Sequence, residues 1–164
     1  MSKIPVVNEN DELIEYKERE DLNIADIYRV SALWITNSQG QILLAQRAFT
    51  KSHNPGKWGP AVAGTVEEGE DYETNIIKEA EEELGLTGIE FKKINKTRIK
   101  DKFNSFTQWF FAIVDKAIDE FKIQKSEVEA IKWYDRGELE KDLAENPDNY
   151  LVDFEEYLKT SNII

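Results

Sequence analysis

The amino-acid sequence predicts a mixed α/β domain, rich in strands, with two or three helices. Three observations carry that expectation. Short apolar runs alternate with polar turns over most of the chain. A central segment has helical apolar spacing and is bracketed by an aspartate and a glycine. The last stretch shows helical spacing again. With 164 residues the chain suits one domain with a sizeable core, so 1–164 is read as a single unit.

Residues 1–27 predict an N-terminal hairpin extension, with Val6-Val7 and the run LIEY flanking the turn-forming NEND. RVSALWI and QILLAQR then flank NSQG, a strong hairpin signal by turn chemistry. HNPGKWG reads as a loop and PAVAG as a short strand. IEFKKINKTRI and SFTQWFFAIVD make two further strands around KDKFN, and EVEAIKWYD another. RGELEKDLAEN is expected to be helical. In the C-terminal helix, 150–160, Leu151, Phe154, Tyr157 and Leu158 share the face that packs on the sheet.

Composition narrows the functions. No apolar run reaches about 18 residues, so no membrane span is expected. The N-terminus lacks a basic-then-apolar secretory pattern, and a cytoplasmic location is the default. The absence of cysteine excludes disulfides, thiolate catalysis and Cys-based zinc sites. Net charge is −12, from 33 acids against 21 bases. The stretch Gly64–Leu86 alone holds nine acids and one lysine, or −8. Such a field disfavours nucleic-acid polymers, which require a basic face, and suits a chain that holds divalent cations. Phosphorylated small molecules can enter once cations neutralise the site.

Within that stretch, Gly64–Gly69 reads as a loop and Asp71 as the cap of a helix from Tyr72, which Gly85 ends. At about 100° per residue, Ile76, Ile77, Ala80 and Leu84 share an apolar face, and Glu79, Glu82 and Glu83 line an opposing arc. Two readings of that arc stand side by side. One is a solvated face, because glutamate is a good helix former. The other is a magnesium or manganese site, because hard cations prefer oxygen ligands.

Spacing arbitrates. Gly64, five residues, Glu70, seven residues, then KEAEEELGL from Lys78 to Leu86 closely resembles the Nudix box. The departures are Lys78 in place of arginine and Ala80 as a small substitute for an aliphatic residue. The resemblance implies an α/β/α sandwich around a mixed sheet. It also implies Mg²⁺-dependent hydrolysis of a nucleoside diphosphate linked to another group, with Mn²⁺ as a possible substitute. By position, Glu79, Glu82 and Glu83 would ligate metal with the carbonyl of Gly64, while Glu70 and Lys78 would support the box. Glu79 is the first candidate to accept a proton from water. Among acids beyond the box, Glu127 is preferred over Glu129 and Glu120. The alternative class is a Nudix-like module that binds a nucleotide or protein without cutting it.

The run KSHNPGKWGPAVAGTVEEGE is also similar to the matching part of type I isopentenyl-diphosphate isomerases and their hydrolase-like relatives. Those enzymes need a cysteine and histidine ligands; the aligned positions here are Ala63 and Thr65, and the one histidine, His53, sits in a polar loop. Isomerase chemistry is therefore not expected. Before the box, Arg29, Arg47, Lys51 and Lys57 are candidate contacts for substrate, with Arg47 first. Trp58, Trp109 and Phe111 are either core or stacking partners for a planar group.

Overall fold

The computed structural model describes residues 2–101 and 103–164, so Met1 and Lys102, at the centre of the KDKFN turn, lie outside the described residues. Nine strands and three α-helices follow in chain order. Strands β1 (Ile4–Val7) and β2 (Leu13–Lys17) form an antiparallel hairpin across the NEND turn. Then come β3 (Tyr28–Thr36), β4 (Ile42–Arg47), β5 (Trp58–Gly59) and β6 (Val62–Thr65). Helix α1 (Tyr72–Leu84) leads to β7 (Lys92–Lys100), β8 (Asn104–Ile113) and β9 (Val128–Tyr134). Helices α2 (Arg136–Glu145) and α3 (Phe154–Thr160) close the chain.

The main sheet runs β5-β4-β3-β8-β7, with β6 added to β3 and β9 added to β4. It is mixed, because β3 lies parallel to β8 while the other pairs are antiparallel. The hairpin β3–β4 pairs only at its closed end, Ile35 with Leu43 and Thr36 with Ile42. Below that point the strands part. The gap admits β6, which lays Gly64 opposite Ser31, and lets β9 pair along β4.

Strand parity sorts the core into two layers. Leu33, Ile35, Leu43, Ala45, Phe110 and Ala112 face Ile76, Ala80 and Leu84 of α1. Their neighbours Ala32, Trp34, Ile42, Leu44 and Trp109 face Leu139, Leu143, Phe154 and Leu158 of α2 and α3. The outcome is an α/β/α sandwich, as expected.

Two expectations are corrected. The helical C-terminal segment begins at Phe154, not at 150, because Tyr150 and Leu151 run extended beside Trp58, whose carbonyl accepts the Leu151 N–H. On α1, Ile77 is exposed and Glu83 takes the burial expected of it. The buried arc is turned by about one residue, so Glu79 and Glu83 border the apolar face instead of opposing it.

Helix α1 is fixed at both ends. Asp71 accepts from the Thr74 N–H at 2.8 Å while Thr74 Oγ1 accepts from the Asp71 N–H at 2.9 Å, a reciprocal cap. Gly85 ends the helix at φ 68°, a left-handed conformation that other residues adopt at a cost. Replacing Asp71 by Ala is expected to destabilise the fold by about 1 kcal/mol, read as a fall of a few degrees in Tm by calorimetry. An unchanged Tm would show that the cap does not hold the helix start.

Candidate active site

Four segments converge at one side of the sheet: the end of β4 with the turn after it, β6, α1, and the loop before β9. Backbone bonds tie them together. Gln124 N–H donates to the Glu83 carbonyl at 3.0 Å, and Ala48 N–H donates to the Glu127 carbonyl at 3.0 Å. The box helix thereby reaches the loop of Glu127, and that loop reaches the end of β4.

Gly64 sets the closest approach. A Cβ there would lie 2.5 Å from Glu79 Cγ and 2.6 Å from its Cδ. Only a residue without a side chain lets the Glu79 carboxyl lie against this backbone. Glu83 stands one turn further along and is 8% exposed. Burial pushes its carboxyl up to about 9, and the nearby Glu79 and Glu127 carboxylates push in the same direction, against Lys51. Burial likewise raises Glu79; Lys78 opposes, while Glu82, Glu70 and Glu127 add to the rise. Glu82 is exposed on the outer edge of this group.

The loop before α1 is held by a second set of charges. Lys78 Nζ lies 2.8 Å from Glu70, 3.3 Å from Glu67 and 3.7 Å from Glu79. Burial works against the ammonium, but Glu70 and then Glu67 outweigh it and the pKa is raised. Glu70 is itself half-buried, which raises its carboxyl; the bonds from Lys78, the Glu67 N–H and the Asn75 amide more than reverse this. The Asn75 side chain also donates to the Thr65 carbonyl at 3.0 Å. Sequence reasoning missed Asn75 and Glu67. The signal available for Asn75 was a polar residue one position before Ile76, on the buried side of the helix.

The other expected residues separate into near and far. Glu127 is near: its charge acts on both Glu79 and Glu83, and its carboxylate pairs with Lys51 at 2.5 Å. Glu120 caps its own short turn through the Ala117 N–H, and Glu129 lies on β9. Arg47 is near, donating to the His53 carbonyl at 3.0 Å; burial lowers its pKa against the pull of Glu127 and Glu83. His53 is exposed and packs edge-on to Phe103.

Arg29 and Lys57 are engaged elsewhere. Arg29 is bonded to Asp11 at the hairpin tip, 2.7 Å away, and Lys57 to the Asp148 carbonyl. Trp58, Trp109 and Phe111 belong to the core on the α2–α3 side. Parity on β8 turns Trp109 away from α1, so these rings do not face the carboxylates, and the stacking role is withdrawn. Other clefts run along β7 and α3 and contain none of these acids.

Among the described residues, no group of three or more acidic or histidine side chains is arranged to hold a metal ion by itself. The donor set nevertheless fits a hard cation. Mg²⁺ typically takes one or two carboxylates and completes its shell with water and substrate oxygens. Glu79 and Glu83 supply the carboxylates, Gly64 supplies a backbone with no side chain between it and Glu79, and Glu83 is buried beside like charge with no full counter-charge.

A family model described as NUDIX domain matches residues 27–154, and the chain belongs to that family. It is 28% identical over 137 residues to the uncharacterized Nudix hydrolase YfcD of Escherichia coli K12, covering 83% of this chain and 75% of that one. An uncharacterized Nudix hydrolase of Listeria monocytogenes is 28% identical over 145 residues, 85% of this chain and 83% of its own. In fold, the chain is similar to the crystal structure of DR0079 from Deinococcus radiodurans. That match has a TM-score of 0.84 and 24% identity, covering 97% of this chain and 98% of that one.

Two measurements test the site. Glu83 keeps its proton in the folded state up to about 9, whereas an unfolded chain releases it near 4.5. Its raised pKa therefore contributes stability that is full below about 4.5 and is lost as pH rises through about 9. In a chelator, the Tm of wild type relative to Glu83→Gln should fall across that interval, and parallel curves would refute the burial of this carboxyl. Lys78→Met leaves Glu70 without its cation and Glu67 with Arg19 alone, and should cost about 1–3 kcal/mol by urea unfolding. No change would show that the ion pairs contribute nothing.

Proposed function

We propose that the chain is a Mg²⁺-dependent pyrophosphohydrolase that cleaves the diphosphate linkage of a nucleoside diphosphate joined to another group, with Mn²⁺ as a substitute. The observation that carries the reading is the contact of the Glu79 carboxyl with the Cβ-free backbone of Gly64, beside the buried Glu83. Crowding of that kind is unfavourable in the protein alone and becomes favourable with a cation among the carboxylates.

On this reading Glu79, Glu82, Glu83 and the Gly64 carbonyl would hold the metal. When bound, the metal would offset charge on the diphosphate and acidify a water molecule. Glu79 or Glu127 would take the proton from that water, and burial raises the affinity of Glu79 for it. Arg47 and Lys51, at the end of β4, meet the negative charge of the substrate. Lys78 and Glu70 hold the loop in front of α1 and do not touch the reacting atoms.

Two solved relatives show what this fold can hold. The Nudix domain of Shewanella oneidensis NrtR was crystallised with ADP ribose, at a TM-score of 0.57 and 20% identity, covering 83% of this chain and 85% of that one. A Francisella tularensis protein described as a bifunctional NMN adenylyltransferase and ADP ribose pyrophosphatase was crystallised with AMP and a manganese ion. Its TM-score is 0.60 at 17% identity, covering 81% of this chain and 40% of that one. Their ligands make nucleoside diphosphates a reasonable first panel.

The test is a panel of nucleoside diphosphate derivatives assayed with Mg²⁺ and Mn²⁺, using wild type, Glu82→Gln and Glu83→Gln. Each substitution should lower turnover by about two to four orders of magnitude while circular dichroism stays unchanged. Near-normal turnover in both variants would overturn the site. No cleavage by wild type, with a nucleotide still raising Tm, would favour the binding module.

A further inference from the structure

The N-terminal hairpin presents an unusual strand. β1 is fully buried, with Ile4, Val6 and Val7 packed into the body of the protein. β2 is exposed on both of its faces: Leu13 is 49% exposed, Ile14 59% and Tyr16 42%. Among the described residues no strand pairs with its outer edge. An apolar strand with an open edge is a template for another strand.

Backbone parity says which groups face that edge. Pro5 stands opposite Tyr16 and has no N–H, so this pair cannot exchange two ladder bonds. It is therefore the non-hydrogen-bonded kind, and the N–H and C=O of Tyr16 point away from β1 into the open edge. Glu15 and Lys17, on either side, direct theirs toward β1.

We propose that β2 is a homodimer interface, in which a second copy of this chain pairs antiparallel with β2 about a two-fold axis at Tyr16. The occupant follows from charge. Centring the pairing on Tyr16 sets Glu15 of each copy opposite Lys17 of the other, twice by symmetry. Ile14 offers no such axis, because the register shift that pairs Val6 with Glu15 and Val7 with Leu13 leaves Ile14 as a bulged residue where the alternation is broken. Lysine commonly guards a strand edge, but the Lys17 ammonium is drawn back onto Asp26 at 2.9 Å and does not stand across this one. It lies 3.7 Å from Glu15 of its own chain, so a further carboxylate from the second copy meets a cation already in place. The same patch on both copies makes the contact isologous and closed, which gives a dimer and not a filament. The joined hairpins form a four-stranded sheet with Tyr16 of both copies at its centre.

Sedimentation of the full chain tests the interface. Wild type should sediment at twice the chain mass and Tyr16→Pro at the chain mass. Proline there removes only the outward N–H, so the Tyr16→Pro fold should survive by circular dichroism. Glu15→Lys, at an exposed position, sets like charges opposite each other twice and should weaken the dimer about tenfold. Should Tyr16→Pro fail to fold, Glu15→Lys decides alone. Wild type that sediments as a monomer at its highest soluble concentration overturns the proposal. So does a dimeric Tyr16→Pro, or a Glu15→Lys dimer as tight as wild type.

Discussion

A carboxyl group nine-tenths removed from water, next to two others, is the constraint on which this structure turns. Each unpaired charge that leaves water costs several kcal/mol after relaxation, and repulsion between neighbouring carboxylates grows as the local dielectric falls. Protein groups relieve this only in part around Glu83: Lys51 opposes the charge of Glu79 and Glu127 but does not cancel it. The chain tolerates the arrangement because everything around it is fixed. α1 is capped at its start, stopped by a left-handed glycine, and packed through Ile76, Ala80 and Leu84 against the sheet. A helix free to roll by a third of a turn would put Glu83 in water and Ile77 in the core, and the site would be gone.

The same rigidity explains why lysine serves where the family pattern carries arginine. An arginine fork is suited to two parallel bonds to one carboxylate. Here three carboxylates surround the cation at graded distances, 2.8 Å to Glu70, 3.3 Å to Glu67 and 3.7 Å to Glu79. A compact ammonium with three rotatable donors matches that spread. Orientation of Glu70, which an arginine fork would otherwise supply, comes from the Glu67 N–H and the Asn75 amide. Precision is transferred from one long side chain to a backbone bond and a buried amide.

What the sequence made legible follows from how local each signal is. The hairpin turns, the Asp71 cap and the Gly85 stop are written in adjacent residues, and the structure has them where the patterns put them. The box was legible because a 23-residue spacing is itself a local pattern. Long-range placement was not. Whether Glu79 and Glu83 oppose or border the apolar face depends on how α1 rolls on β6 and β3, and a helical wheel leaves a residue of freedom there. For Trp109 the sequence favours core and leaves stacking open, and the place of β8 beside β3 decides it, because parity sends the ring to the α2–α3 side. Arg29 precedes the box in sequence, yet its partner is Asp11, which only the folded hairpin brings within reach.

That last pairing bears on why the acidity is so concentrated. Lys78 closes on Glu70 and Glu67 in the loop before α1 and Lys93 on Glu73 in its first turn, so few bases reach the glutamates farther along the helix. Arg29 and Lys96 close on Asp11, and Arg98 closes on Glu9, with Tyr72 donating to Asp11 from the first turn of α1. The hairpin thus draws Arg29 and Lys96 to the start of the helix and away from its carboxylate stripe. At the far end Lys132 and Arg136 pair with Glu138 and Glu140 of α2. Arg47 and Lys51 are left as the bases whose charges bear on Glu83 and Glu127. Helix carboxylates deprived of their usual i,i+4 partners repel one another, and this sorting of cations makes the deficit local. On the proposed function, the Gly64–Glu79–Glu83 side is where this deficit would be met by a divalent ion. A net charge of −12 spread evenly over the surface would supply no such address.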